Sequence, residues 1–205
     1  MPKIKKIKLL DLCCKAGGCT VGYYQASQEL GYDIEITGID IEPQPNYPYN
    51  FIQTDAVAYL KKNYKKYTHI HASPPCQLYS NSTAVAKARN PEKEYSNILV
   101  EIQEFLHKIY TPSVIENVLQ APIRKDIVLN GDMFKLKVIR SRKFELNNWF
   151  MMQPFKPKRF KIEGNNIMEV WSNAMNIHWM KTREELAESI PPAYTKYIGI
   201  NFFNN

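Results

Sequence analysis

Apolar residues cluster in short segments through the first half of this chain, several of them followed by a stretch of helical pattern. Ile7–Leu12 reads as a buried strand, and Gly17–Leu30 as a helix that Gly31 ends. Ile34–Asp40 is a second strand and Phe51–Gln53 a short third, ahead of a helix from about Asp55 to Tyr64. His69–Ala72 is a fourth strand. Ser96–Tyr110 carries Ile98, Leu99, Ile102, Phe105, Leu106 and Ile109 at helical spacing, and Ser113–Glu116 is a fifth strand. Such alternation of strands with helices implies a mostly parallel sheet covered by helices. The expected fold class is α/β.

After Glu116 the pattern changes. Ile127–Leu129, Lys137–Ile139 and Lys143–Leu146 read as shorter strands of an antiparallel edge. Trp149–Gly164 is irregular, proline-containing and basic, with Lys156, Lys158, Arg159 and Lys161. Thr182–Ser189 is expected to be helical, with Glu185 completing a capping box on Thr182. A further helix is expected from near Pro192 to Phe202. No repeat or low-complexity linker divides the 205 residues, so residues 1–205 are expected to form one domain with a full core.

Composition narrows the class. An apolar content of 44% with 12% aromatics excludes a disordered chain. A formal charge of +7 favours a polyanionic partner. No apolar run reaches the roughly 18 residues that a membrane-spanning helix needs. Met1–Lys8 is basic, but Leu9–Cys14 is too short, and too soon broken by Lys15, to act as a signal peptide, so a cytoplasmic location is expected. The cysteines are Cys13, Cys14, Cys19 and Cys76. Adjacent Cys13 and Cys14 do not suit a disulfide framework, and all four read as free thiols. Zinc held by these and by His69 and His71 is the metal alternative, but the spacing matches no familiar ligand pattern, and no metal is expected.

Ligands of open parallel sheets bind beyond the carboxyl ends of the strands. The segment Asp11–Gly18 follows the first strand and opens a helix. Gly17 and Gly18 let the backbone approach a ligand there, beside free N–H groups of a helix N-terminus. Asp40 ends the second strand, where a carboxylate can accept from ribose hydroxyls. Asp55 follows the third, where it can accept from an adenine amine. Taken singly, Asp40 is equally a turn residue and Asp55 an ordinary helix cap. Together, at successive strand ends, they point to a nucleoside-bearing cofactor.

Pro74-Pro75-Cys76-Gln77 follows the fourth strand. Pro75 fixes the backbone before a thiol placed where a covalent nucleophile is expected. Glu116 ends the neighbouring fifth strand, so that Cys76 and Glu116 can face one pocket. Arg140 and Arg142 alternate with Ser141, and on a strand both would point to one face, presenting guanidinium groups to a carboxylate or a base carbonyl. The commoner fates of these residue types are a buried inert cysteine, a salt-bridged glutamate and surface arginines.

In this order the motifs resemble those of the cytosine-C5 methyltransferases. The matching segments are Leu10–Gly18, Gly38–Glu42, Gln53–Ala56, Pro74–Ser80, Val114–Val118, Ile139–Leu146 and Ser189–Gly199. The compact form, with Gly38–Pro45 and Ile190–Thr195, is similar to small methylases carried by phages and other viruses. The resemblance implies a Rossmann-like fold and an S-adenosylmethionine (S-adenosyl-L-methionine) cofactor. Cys76 would attack C6 of cytosine. Glu116 would hydrogen-bond N3 and the exocyclic amine, Asn117 would hold the backbone, and Arg142 with Arg140 would contact the base carbonyl. Asp11, Cys13, Ala16, Gly17 and Gly18 would cradle the cofactor. Asp40 would bind its ribose, Ile41 would pack on adenine, and Asp55 with Ala56 would take the adenine edge. Pro75 and Ser189 would line the methionine end. The implied substrate is DNA with its base flipped out, and Leu78 to about Tyr95, with Lys87, Arg89 and Lys93, would close over it.

Three positions depart from the family pattern. Cys13 stands where Phe is usual, and Lys15 where Gly is usual, so a positive φ at Lys15 would strain the backbone. One hypothesis places the Lys15 ammonium against a carboxylate, from methionine or from an unusual carboxylated cofactor. Glu188 stands where Asn is common. The largest departure is the stretch 147–180, a reduced insert in place of a target-recognition domain. Its basic Lys156–Lys161, with Phe155 and Phe160, suits phosphate contact with little base readout. A relaxed sequence preference, or a separate specificity partner, is therefore expected. RNA or a free cytidine nucleotide as substrate, and a non-catalytic accessory role, are the rival readings.

Overall fold

The computed structural model describes residues 4–75, 98–155 and 167–205. Among these, seven strands form one sheet in the order β3-β2-β1-β4-β5-β7-β6. They are β1 (Lys6–Leu12), β2 (Asp33–Asp40), β3 (Asn50–Gln53), β4 (His69–Ala72), β5 (Ser113–Asn117), β6 (Ile127–Leu129) and β7 (Arg142–Asn147). The first five are parallel, and β7 runs antiparallel between β5 and β6. The helices are α1 (Gly18–Leu30), α2 (Ala56–Asn63), α3 (Ile98–Leu106), α4 (Ile167–Met175), α5 (Arg183–Glu188) and α6 (Pro192–Phe202).

The inner strands are covered on both faces. On β1, Ile7 and Leu9 face a core built with Tyr23 and Ala26 of α1 and Tyr194, Ile198 and Phe202 of α6. Leu10 and Leu12 face the opposite core, with Leu60 of α2 and Leu99, Ile102 and Leu106 of α3. Gly31, in the left-handed conformation, closes α1. Thr182 and Glu185 form the expected capping box on α5.

The second half departs from the sequence pattern at three places. Lys137–Ile139 is not a strand. It follows a 3₁₀ turn over Gly131–Phe134, and one backbone bond, from Gly131 N–H to Ile139 O at 2.7 Å, ties the segment down. Arg140 therefore does not share a strand face with Arg142. It precedes β7 with φ +37°, while Arg142 is the first residue of the strand. Within the stretch read as irregular, Gln153 pairs its side-chain amide with the edge of β6. Its Oε1 accepts from Val128 N–H at 2.6 Å and its Nε2 donates to Val128 O at 2.8 Å, which satisfies an edge that would otherwise stay open. Helix α4 has no counterpart in the sequence reading. Cys76, the 78–95 segment and the basic run Lys156–Lys161 lie outside the described residues.

Candidate active site

The carboxyl ends of β1, β4 and β5 open into a cavity of about 400 Å³. Asp11, Cys13, Ala16 and Gly18 line it from the first turn, Pro75 from the end of β4, Glu116 from β5, Arg142 from β7, and Ser189 from the end of α5. The strand register explains the gathering. Pairing of β4 with β5 and of Glu116 with Phe144 sets Glu116 beside both Ser73 and the start of β7.

Glu116 is buried, with Arg142 Nε 3.1 Å from its Oε1. Burial pushes its pKa up from the ordinary carboxylate value, and Arg142, the nearby Ser73 hydroxyl and the charge of Arg140 hold it back. Asn117 Nδ2 donates to Pro74 O at 2.9 Å, which clasps the end of β5 to the Pro-Pro turn. Arg140 reaches Ala187 O through its guanidinium, and Tyr194 Oη donates to the carbonyls of Ile139, at 3.2 Å, and Arg140, at 3.0 Å. This residue braces the pocket wall from outside the cavity.

Asp11 is fully buried. Its Oδ2 accepts from Thr20, and its Oδ1 has no partner. Burial, more than the opposing Thr20 bond, raises its pKa from 3.8 to about 7, and the neighbouring charges of Asp40 and Glu116 add to the rise. Burial also pushes the thiols of Cys13, Cys14 and Cys19 up, so none of the three is poised as a thiolate.

The remaining expected cofactor residues stand around the cavity rather than on its wall. Gly17 caps α1 with φ +83°. Both carboxylate oxygens of Asp40 accept backbone N–H groups, from Lys15 and from Glu42, each at 3.1 Å. Asp55 caps α2 by accepting from Ala58 N–H at 2.7 Å, and Ala56 is buried beneath it. Ile41 is exposed. His69 and His71, considered as metal ligands, are engaged elsewhere: His69 lies between Thr68 and Phe202 O, and His71 between Tyr23 and Ser73.

Lys15 does adopt a positive φ, +46°. Its ammonium meets the protein's own carboxylates, Glu42 Oε2 at 2.8 Å and Glu188 Oε2 at 3.5 Å. Burial opposes the charge, but these acids outweigh it and hold the Lys15 pKa above its ordinary value. Two of the departures from the family pattern, Lys15 and Glu188, thus meet each other at the rim. Sequence reasoning missed Ser73, Cys14, Cys19, Val118, Met180, Ala187 and Ile190 on the wall. Ser73 was detectable from its place at a strand end directly before Pro74, whereas Met180 and Ala187 come from a distant segment that only the fold brings in.

By sequence, the chain matches no protein-family model and no curated protein. By fold it is similar to the Dnmt2 methyltransferase of S. pombe, with TM-score 0.51 and 18% identity, over 78% of this chain and 58% of that one. It is also similar to the methyltransferase EhMeth of Entamoeba histolytica, with TM-score 0.50 and 16% identity, over 82% of this chain and 60% of that one. The fold is that of the Rossmann-like S-adenosylmethionine-dependent methyltransferases. The chain covers less than two thirds of the length of either protein. Among the described residues no helix is long and apolar enough to cross a membrane.

Proposed function

We propose that this protein transfers a methyl group from S-adenosylmethionine to C5 of cytosine in DNA through a covalent adduct between Cys76 and C6. The observation that carries the reading is the Glu116–Arg142 pair in the same cavity as the first-strand turn, directly beside the Pro74-Pro75 step that leads into Cys76. The residues present fit the cofactor. Asp11 Oδ1 is a buried acceptor with no partner of its own, suited to an ammonium group. Bound S-adenosylmethionine would supply an electrophilic methyl on a sulfonium.

The chain's own residues supply the rest. Glu116, its pKa raised, holds or shares a proton at N3 of the base, and this makes C6 more electrophilic. Arg142 keeps that carboxyl in place and offers a donor to the base carbonyl. Cys76 as thiolate would add to C6 and leave C5 carbanion-like, ready for the electrophilic methyl that a bound cofactor would supply. Loss of the C5 proton to water would then expel the thiolate and restore the aromatic ring. A base inside a duplex cannot reach such a pocket, so the target is flipped out or single-stranded. The reduced 147–180 insert supports a relaxed sequence preference or a separate specificity partner.

Incubation with labelled S-adenosylmethionine and DNA, tRNA or dCMP, followed by nucleoside mass analysis, tests the reading. The expected product is 5-methylcytosine in DNA, abolished by Cys76→Ser, with a Cys76-dependent adduct on a 5-fluorocytosine oligonucleotide. Product in tRNA or dCMP alone would move the substrate to RNA or a free nucleotide. No product and no adduct on any substrate would leave a non-catalytic accessory protein.

A further inference from the structure

We propose that Lys15 is a positioning residue for the cofactor cavity, its ammonium tying the end of β2 to the end of α5 so that walls drawn from distant segments hold one shape. The inference deepens the proposed function and rests on it for the identity of the ligand. Lys15 Nζ lies 2.8 Å from Glu42 Oε2 and 3.5 Å from Glu188 Oε2. Lys15 belongs to the turn after β1, Glu42 stands two residues beyond β2, and Glu188 closes α5. Lys15, Glu188 and the following Ser189 all line the cavity.

The backbone makes part of the same connection. Lys15 N–H donates to Asp40 Oδ2 and Glu42 N–H to Asp40 Oδ1, each at 3.1 Å. The side-chain pair between Lys15 and Glu42 therefore closes a ring around the Asp40 carboxylate. Lys15 holds a left-handed backbone, φ +46°, that glycine would adopt without strain. Glycine here would leave the ring open and Glu188 without this cation.

On the other side, the segment from Met180 to Ser189 supplies Met180, Ala187, Glu188 and Ser189 to the wall. It docks on the first turn through a small core in which Met180 and Leu186 pack with Ala16. Trp179 Nε1 donates to Ala16 O, and Asn46 Nδ2 donates to Glu185 Oε1, both at 2.8 Å. Lys15 adds an ion pair to this boundary. Removing the ammonium leaves Glu42 and Glu188 as like charges at one place on the rim. An exposed pair contributes little to global stability. One cation shared between two segments instead restricts their relative movement, and a cavity already held in its binding shape loses less freedom when a ligand enters.

Hydrogen exchange of the Trp179 indole N–H and of the Glu42 amide, followed by nitrogen-15 NMR of the full chain without ligand, reads the two ends of the tie. Lys15→Met is expected to speed both about threefold, the scale of an exposed ion pair. The Leu10 amide, inside the sheet between β2 and β4, should keep its rate. Lys15→Arg keeps the charge and should match wild type at both probes. Glu188→Gln should speed the indole, and add nothing in the Lys15→Met background. Calorimetry should show S-adenosylhomocysteine binding about threefold more weakly to Lys15→Met than to wild type. Unmoved rates at Trp179 and Glu42 in Lys15→Met overturn the tie. Equal acceleration at Leu10 marks a general loss of stability and overturns the positioning role, as does unchanged affinity for S-adenosylhomocysteine. No binding of that ligand by wild type overturns the proposed cofactor and the positioning role with it, and the exchange rates then still decide whether the tie exists.

Discussion

Replacing Asp11 by Asn should make the protein more stable at pH 8. Asp11 has a folded-state pKa of about 7 against an ordinary 3.8, caused first by burial. Below the lower value the group is protonated in both states and costs nothing. As pH rises from 3.8 the unfolded chain ionises first, so folding stability falls until about pH 7 and then stays at its lower level. Three pH units of difference amount to about 4 kcal/mol at pH 8, and about 1.5–2 kcal/mol of that is already present at pH 5. In Asp11→Asn the amide oxygen can still accept from Thr20, but Nδ2 replaces the unpartnered Oδ1 and is itself unpaired. That loss costs about 1–3 kcal/mol at every pH. The variant is therefore expected to be roughly as stable as wild type, or less so, at pH 5, and about 1–3 kcal/mol more stable at pH 8. The remaining titrating groups are common to both proteins and largely cancel. Urea denaturation of both at the two pH values, at fixed ionic strength, measures the difference. If the gap between variant and wild type is the same at pH 5 and pH 8, burial does not hold this carboxyl in its neutral form, and the reasoning fails.

Lys15→Ala should cost about 1 kcal/mol, because it keeps the left-handed backbone strain and loses both ion pairs. Lys15→Gly removes the strain at the same time and should fall within about 0.5 kcal/mol of wild type; thermal melts that show Ala no worse than Gly would contradict this. Thr182→Ala breaks the capping box of α5 and should cost about 1 kcal/mol, read as a lower denaturant midpoint. Gln153→Ala removes both hydrogen bonds to Val128 and should cost about 1 kcal/mol, with faster hydrogen exchange at the Val128 amide as its local signature.

The inner sheet was legible in the chain because burial on two faces leaves an unmistakable mark. Ile7–Leu12 is mostly apolar and His69–Ala72 carries Ile70 and Ala72 in a fully buried strand, and helix ends at Gly31 and Thr182 obey local rules that need no distant partner. The second half was less legible because its apolar residues are anchored by contacts remote in sequence. Lys137–Ile139 has strand-like residues but no vacant strand edge beside it, and Gln153 occupies the edge of β6 with a side chain in place of a backbone. At the candidate site, residue types at strand ends marked Asp11, Glu116 and Arg142 in advance. What they meet was decided by strand order and register. Setting β1 between β2 and β4 brings the Lys15 ammonium to Glu42, and folding the C-terminal helices back brings Glu188 to the same charge. Pairing β4 with β5 sets Ser73 behind Glu116. Local pattern records which residues are buried or capped, because those preferences act over a few residues. Which buried groups face each other depends on contacts across the whole chain, and only the tertiary structure decides it.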